Sequence, residues 1–197
     1  MLDQTLRQIR YKLANHHPLA PPLEASAQAA VALLLQPQVN DLHLLFIHRA
    51  HHSQDPWSGH MAFPGGRKNP GDADLRITIH RETKEEVGID LDFQGEYLGR
   101  MAELQALSQG RPISMTVAPF VYLLSSEVEP QPDPIEVQDT IWVPLDFIQK
   151  DDVESLVHFP MPDGKTMEVP GLVYGGKTIW GLTYRMLREF LELIAEN

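Results

Sequence analysis

The chain has 197 residues, with 16 lysines and arginines against 27 aspartates and glutamates, a formal net charge of −11 and no cysteine. Without cysteine there is no disulfide scaffold, no thiolate zinc site and no cysteine nucleophile. The acid excess argues against nucleic acid as a partner, because that affinity rests largely on Lys and Arg neutralising phosphates, and a domain of this length buries roughly 70% of its unfolded surface, enough to fold without a staple.

Leu2, Leu6, Ile9 and Leu13 recur at helical spacing, which predicts an amphipathic helix with charges throughout rather than a cleavable signal. The stretch His16-His17-Pro18-Leu19-Ala20-Pro21-Pro22 cannot continue it, since proline has no amide donor. The expected organisation is therefore an N-terminal helix and linker over residues 1–24 and one domain over 25–197. Ala27–Gln36 and Leu42–Arg49 read as buried strands, with Pro37–Asn40 as the turn between them. The longest apolar run, Ala27 to Leu35, is about half of what a membrane span needs. A soluble, cytoplasmic protein with no membrane partner is expected.

A loop over His51–Gly59 leads to a short strand at Met61–Phe63, which Pro64-Gly65-Gly66 breaks. Asn69-Pro70-Gly71-Asp72 is a turn whose Asp72 is suited to cap a helix. That helix is expected from Ala73 to Val87, with Gly88 just past its end. Strands follow near Leu91–Met101, Thr116–Leu124 and Thr140–Val143, and a last helix starts at Thr183 with Met186, Leu187, Phe190 and Ile194 on its buried face. Strands on both sides of a central helix, closed by another helix, predict an α/β layered domain. Trp142 and Trp180 are assigned to the core, whereas Trp57 falls in a loop, where stacking on a base and burial are both open.

The informative helix carries Arg81-Glu82-Thr83-Lys84-Glu85-Glu86-Val87-Gly88-Ile89. Glu82, Glu85 and Glu86 stand at i, i+3 and i+4 and share one face. A solvated charged face is the plain alternative, and it is an uncomfortable one. Glu82 and Glu86 repel, and all three lie in the half of the helix where the dipole disfavours anions. Arg81 can pair with Glu85 at i+4 and relieve part of this. Mg²⁺ or Mn²⁺ reverses the balance, since these ions take oxygen ligands from a few carboxylates plus water and substrate phosphates. The glycine pair Gly65-Gly66 adds accessible carbonyls. Arg49 and Arg67 are candidate phosphate contacts, because guanidinium matches phosphate oxygens in bidentate fashion, although each is equally read as a surface arginine. His60 adjoins the glycine turn and is a candidate substrate contact, with packing as its alternative.

This segment resembles the Nudix box, with the family pattern G-x5-E-x7-R-E-U-x-E-E-x-G-U, U being apolar. Arg81, Glu82, Glu85, Glu86, Gly88 and Ile89 match, while Thr83 stands at the first apolar position. Gly66 to Arg81 spans fifteen positions where the pattern has fourteen, and Asp72 or Asp74 stands in for the expected glutamate. Such an expansion is similar to the coenzyme A pyrophosphatase branch. So are Leu44–Ala50, Gly59–Gly66, Val117–Val121, Trp142–Leu145 and Ile179–Thr183, so that the resemblance covers Ala27 to Glu192.

The resemblance implies an α/β/α sandwich with a mixed central sheet, and hydrolysis of a nucleoside diphosphate linked to another group. It implies Mg²⁺ or Mn²⁺ held by Glu82 and Glu86, with Glu85 as a further ligand and the Gly65 carbonyl completing the shell. Arg81 would orient the glutamates, with Gly66 and Asp72 or Asp74 supporting the site. The family often takes its general base from a loop outside the box, which makes Glu136 the candidate and Glu85 its competitor. Coenzyme A is the expected substrate. The segment His51–Ser58, however, lacks the arginine that branch carries, and Asn69 replaces a common aspartate, so ADP-ribose, nucleotide sugars, dinucleotides and oxidised nucleotides stay open. A nucleotide-binding module without catalysis is the alternative class, though degenerate members lose the glutamates that this chain retains. The partner expected is a small-molecule nucleotide, together with a second copy of the chain through the N-terminal helix, which lies outside the resemblance.

Overall fold

The structure is a computed structural model that describes residues 2–18, 27–52, 57–108, 111–150, 152–160 and 166–195. In chain order the elements are α1 (Leu2–Ala14), β1 (Ala27–Gln38), β2 (Asp41–Arg49), β3 (Met61–Ala62), β4 (Gly65–Arg67), α2 (Leu75–Val87), α3 (Leu91–Gln94), β5 (Gly95–Arg100), β6 (Leu104–Ser108) and β7 (Arg111–Leu124). There follow β8 (Val137–Pro144), α4 (Leu145–Ile148), β9 (Glu154–Pro160), β10 (Thr166–Tyr174), β11 (Lys177–Trp180) and α5 (Gly181–Ile194).

The centre is β1. Its apolar run is buried on both faces because alternate side chains enter different cores. Leu33 and Leu35 join one cluster with Phe46, Phe190 and Leu187, while Ala30, Ala32 and Leu34 join the other with Ile79, Val87 and Phe120. The sheet runs β3-β2-β1-β7-β5, with β4 paired to β1, β6 to β7 and β8 to β2. β1 and β7 are parallel, and the other pairings of this sheet are antiparallel. Helix α2 covers one face; α1 and α5 cover the other, joined by the Gln8 amide donating to the Ile194 carbonyl at 2.7 Å. This is the expected α/β/α sandwich on a mixed sheet.

Several local expectations are corrected. The turn after β1 is confined to Val39 and Asn40, because Pro37 and Gln38 still pair with Leu42 and Asp41. Gly65 and Gly66 do not break a strand; they form β4 against Ala30 and Val31. The N-cap of α2 is Asp74, not Asp72, and its side chain accepts the amides of Arg76 and Ile77. Asp90 caps a short helix, so Leu91–Gln94 is helical and the strand begins only at Gly95. β6 and the separate antiparallel sheet β11-β10-β9 are additional to the expected strands. Gly88 adopts φ 69 and closes α2 as expected, its amide bonding to the Lys84 carbonyl. The proposed domain boundary and most of the linker, at residues 19–26, lie outside the described residues, as do 53–56 of the His51–Gly59 loop. Among the described residues no helix is long and apolar enough to cross a membrane.

Candidate metal and active site

Helix α2 sorts its glutamates by rotation. Leu75, Ile79, Thr83 and Val87 form the stripe pressed on the sheet. Glu82 and Glu86 flank that stripe, with side chains 12% and 2% exposed, while Glu85 turns outward at 55%. At the face toward β4 the backbone must come very close. A Cβ on Gly65, at φ +147, would lie 2.2 Å from the Ala30 carbonyl oxygen, so only glycine fits there. A Cβ on Gly66 would lie 2.4 Å from the carboxyl carbon of Glu82.

The buried acids are held from several sides. The Gly65 amide donates to Glu86 Oε2 at 2.7 Å, and Arg49 Nη1 stands 3.9 Å from Glu86 Oε1. Burial nevertheless pushes the Glu86 carboxyl up to about 8 against the pull of both partners. Burial raises Glu82 too, with the Arg81 guanidinium opposing it. Arg81 is the hub. Its Nη1 reaches Glu82 Oε1 at 2.8 Å and Glu85 Oε2 at 2.9 Å, and its Nη2 reaches Asp72 Oδ2 at 2.9 Å. Asp72 also accepts the Thr78 hydroxyl at 3.0 Å and the Asn69 amide at 2.9 Å. The two aspartates therefore divide the work, Asp74 capping the helix and Asp72 anchoring the arginine.

Glu136 arrives from the far side of the chain. Asp133 and Gln131 donate their amides to the carbonyls of Glu86 and Val87, occupying acceptors that the end of α2 leaves free. Glu136 then sits beside the end of β2, its carbonyl accepting the Ala50 amide at 2.8 Å. One oxygen each from Glu82, Glu86 and Glu136 can lie within 4.8 Å of the others. Burial already disfavours the charge on Glu82 and Glu86, and their closeness to the Glu136 carboxylate adds like-charge repulsion that a cation between the three would relieve. The all-oxygen set suits a hard divalent ion.

These acids line a cleft of about 1390 Å³. Arg49, Arg67, Asn69 and His60 line it, with Glu85 and Arg81 beside them. Its lining also has an apolar share, to which Trp57, Leu107, Met115, Met167, Val169 and Met186 contribute. Trp57 is fixed by its indole donating to the Leu107 carbonyl at 3.1 Å. Trp180, expected in the core, is half-buried and lines the cleft, its ring 4.8 Å from that of His60. Trp142 packs against the α2-side cluster. The structure thus brings together Glu82, Glu86, Glu136, Gly65 and Gly66, and leaves Glu85 on the rim. Reasoning from sequence missed Leu107, Met167 and Val169, which no local signal marks.

The NUDIX domain profile matches residues 26–160. The chain belongs to the Nudix family. An uncharacterized Schizosaccharomyces pombe protein is 32% identical over 142 residues, covering 65% of this chain and 43% of that protein. A human protein named mitochondrial coenzyme A diphosphatase NUDT8 is 27% identical over 155 residues, covering 77% of this chain and 63% of its own length. The chain thus spans less than two thirds of either relative. Among solved structures, a MutT/nudix family protein from Enterococcus faecalis superposes with a TM-score of 0.59 at 16% identity, over 95% of this chain and 73% of that one. That likeness concerns the Nudix fold alone. Both α2 and β4 fall within the matched Nudix domain.

Proposed function

We propose that the protein is a divalent-cation-dependent hydrolase that cleaves the P–O–P linkage of a nucleoside diphosphate derivative, with coenzyme A or a nucleotide like it as substrate. The observation that carries this reading is one cleft lined both by the gathered carboxylates of Glu82, Glu86 and Glu136 and by an apolar set of side chains. The carboxylates suit a pyrophosphate only through a cation, and the apolar side chains suit a long uncharged arm such as that of coenzyme A. The name of the human relative points the same way.

In this reading Glu82, Glu86 and Glu136 hold Mg²⁺ or Mn²⁺, with the Gly65 carbonyl near them. The cation would neutralise the pyrophosphate oxygens and lower the pKa of a water. The chain's own residues do the rest. Arg81, anchored by Asp72, keeps Glu82 oriented. Arg49 and Arg67 face the cleft as phosphate contacts and His60 as a further substrate contact. Glu136, the exposed member of the set, contributes one carboxylate oxygen to the cluster and accepts the proton of the attacking water on the other; Glu85, committed to Arg81, is the weaker base. Water oxygen bonds to phosphorus as the bridging P–O bond breaks, and the departing phosphate carries that electron pair. Catalysis is mainly positioning and charge stabilisation.

The test is incubation with Mg²⁺ or Mn²⁺ and coenzyme A, ADP-ribose, NADH, nucleotide sugars and nucleoside triphosphates, with products identified by mass spectrometry. Cleavage of coenzyme A to its adenine nucleotide and 4′-phosphopantetheine, abolished by EDTA, is expected. Metal-independent turnover, or none with any compound, refutes the hydrolase; preference for another compound refutes the substrate.

A further inference from the structure

Glu136 is the one member of the carboxylate cluster that no regular element carries. It precedes β8 at the end of a segment containing Pro130, Pro132 and Pro134, and its side chain is exposed. Glu82 and Glu86 are set by the helix. Glu136 sits in a turn closed on Asp133, its own amide reaching the Asp133 carbonyl at 3.0 Å and the Ile135 amide reaching Asp133 Oδ1 at 2.9 Å. That turn must itself be tied to the cleft from outside, because an exposed glutamate otherwise loses rotamer and backbone freedom to reach the cluster.

The structure assigns this task to His52: we propose that it is a positioning residue that holds the Glu136 backbone beside the carboxylate cluster of the cleft. His52 Nε2 lies 2.8 Å from the Ile135 carbonyl. A carbonyl only accepts, so Nε2 carries the hydrogen and donates. The next carbonyl, that of Glu136, accepts the Ala50 amide at 2.8 Å. The two consecutive carbonyls are thus gripped from residues 50 and 52, one by backbone and one by side chain.

The grip is closed by Ser58. The His52 amide donates to Ser58 Oγ at 2.7 Å, and Ser58 Oγ donates to the Ala50 carbonyl at 3.4 Å. Ala50, His52 and Ser58 therefore form one hydrogen-bonded unit, joined to residues 135 and 136 at two points. Trp57, adjacent to Ser58, lines the same cleft. The wall that meets the substrate and the carboxylate that completes the cluster are thereby mechanically one piece.

Other features carry less. The His48–Lys177–Asp139 contacts tie β11 to the main sheet and are not among the residues lining the cleft above. The small cleft beside Lys68, Arg76 and Arg100 contains Asp74 and has Arg100 already bound to Glu103.

The inference rests on the reading of Glu136 as part of the cation-binding set, and the experiment separates the two. The full chain is made as wild type, His52→Ala, His52→Gln and Glu136→Gln, and each is measured for Mn²⁺ affinity without substrate, for kcat and KM, and for thermal midpoint. A glutamine amide can donate at a reach similar to Nε2. His52→Ala is expected to weaken Mn²⁺ binding and lower kcat, each by about 10-fold, as loss of a residue supporting a ligand does. KM and thermal midpoint should stay near wild type, and His52→Gln should restore most of the loss. Wild-type Mn²⁺ affinity and kcat in His52→Ala, alongside losses in Glu136→Gln, overturns the role of His52 and leaves that of Glu136 standing. Failure of glutamine to restore what alanine removes overturns it as well. Glu136→Gln with unchanged affinity and kcat overturns the cluster reading and the inference together.

Discussion

Gly66 and Glu82 occupy each other's space: the carboxylate of Glu82 lies where a side chain on Gly66 would begin, 2.4 Å from its Cβ position. The glycine is therefore required by a neighbouring carboxylate rather than by its own backbone. Gly66→Ala should leave folding nearly intact, since the obstacle is the movable end of a side chain. Glu82 would have to swing away, and a displacement near 1 Å at such a site costs about 100-fold in rate. Steady-state kinetics and thermal melts should show that fall in kcat/KM with little change in the midpoint. Gly65→Ala should instead prevent folding of the β1–β4 contact, because its Cβ meets the Ala30 backbone at 2.2 Å.

Glu86 predicts a pH signature of the metal-free protein. Its carboxyl rises from an ordinary value of 4.5 to about 8 through burial. Between these values the folded chain holds a proton that the unfolded chain has released, so this group's contribution to stability declines as pH rises through the window. Glu86→Gln removes the ionisation and keeps an oxygen for the Gly65 amide. Metal-free urea melts from pH 5 to 9 should show the wild type losing stability relative to this variant as pH rises. Mn²⁺ binding should be lost in the variant, and in the wild type it should strengthen with pH as the proton competes less.

Asp72 predicts the opposite sign. The Arg81 guanidinium, then the Asn69 amide and the Thr78 hydroxyl, hold its carboxyl well below the usual carboxylate range. Its contribution is present above the ordinary value of 3.8 and is lost as pH falls below it. Asp72→Asn should lower the thermal midpoint by a few degrees at pH 7. The gap to wild type should close as the pH is taken down through the acid range. Turnover should also fall, because Arg81 loses the anchor that aims it at Glu82.

The apolar wall of the cleft predicts a selective defect. Val169 on β10 lines it, and Val169→Trp fills part of the space without touching the carboxylates. KM for coenzyme A should rise several-fold with kcat nearly unchanged, since binding away from the reacting atoms is what is lost. A smaller rise is expected for a compound that lacks the long arm.

On the face of the sheet away from α2, Phe190 of α5 is fully buried among Leu33, Phe46 and Leu187. Phe190→Ala should cost about 3–5 kcal/mol by urea denaturation, and metal affinity tests separately whether the carboxylates beside α2 keep their arrangement.

Periodicity and residue chemistry by themselves determined the helices α1, α2 and α5, the central strands and the acidic face, because these depend on neighbours within one or two turns. The same local logic put Gly88 at the end of α2. Which carboxylates share a site is decided at longer range. Glu85 looks equivalent to Glu82 and Glu86 along the helix, yet Thr83 and Ile79 must press on the sheet, and that rotation turns Glu85 toward Arg81 and water. Asp72 and Asp74 both suit a cap, and only the place of Arg81 separates them. The cleft wall was the least legible part. Leu107, Met167, Val169 and Trp180 come from strands distant in sequence, and nothing in their immediate neighbours says which cavity they will share. Only the packing of the second sheet against the first brings them to one cleft.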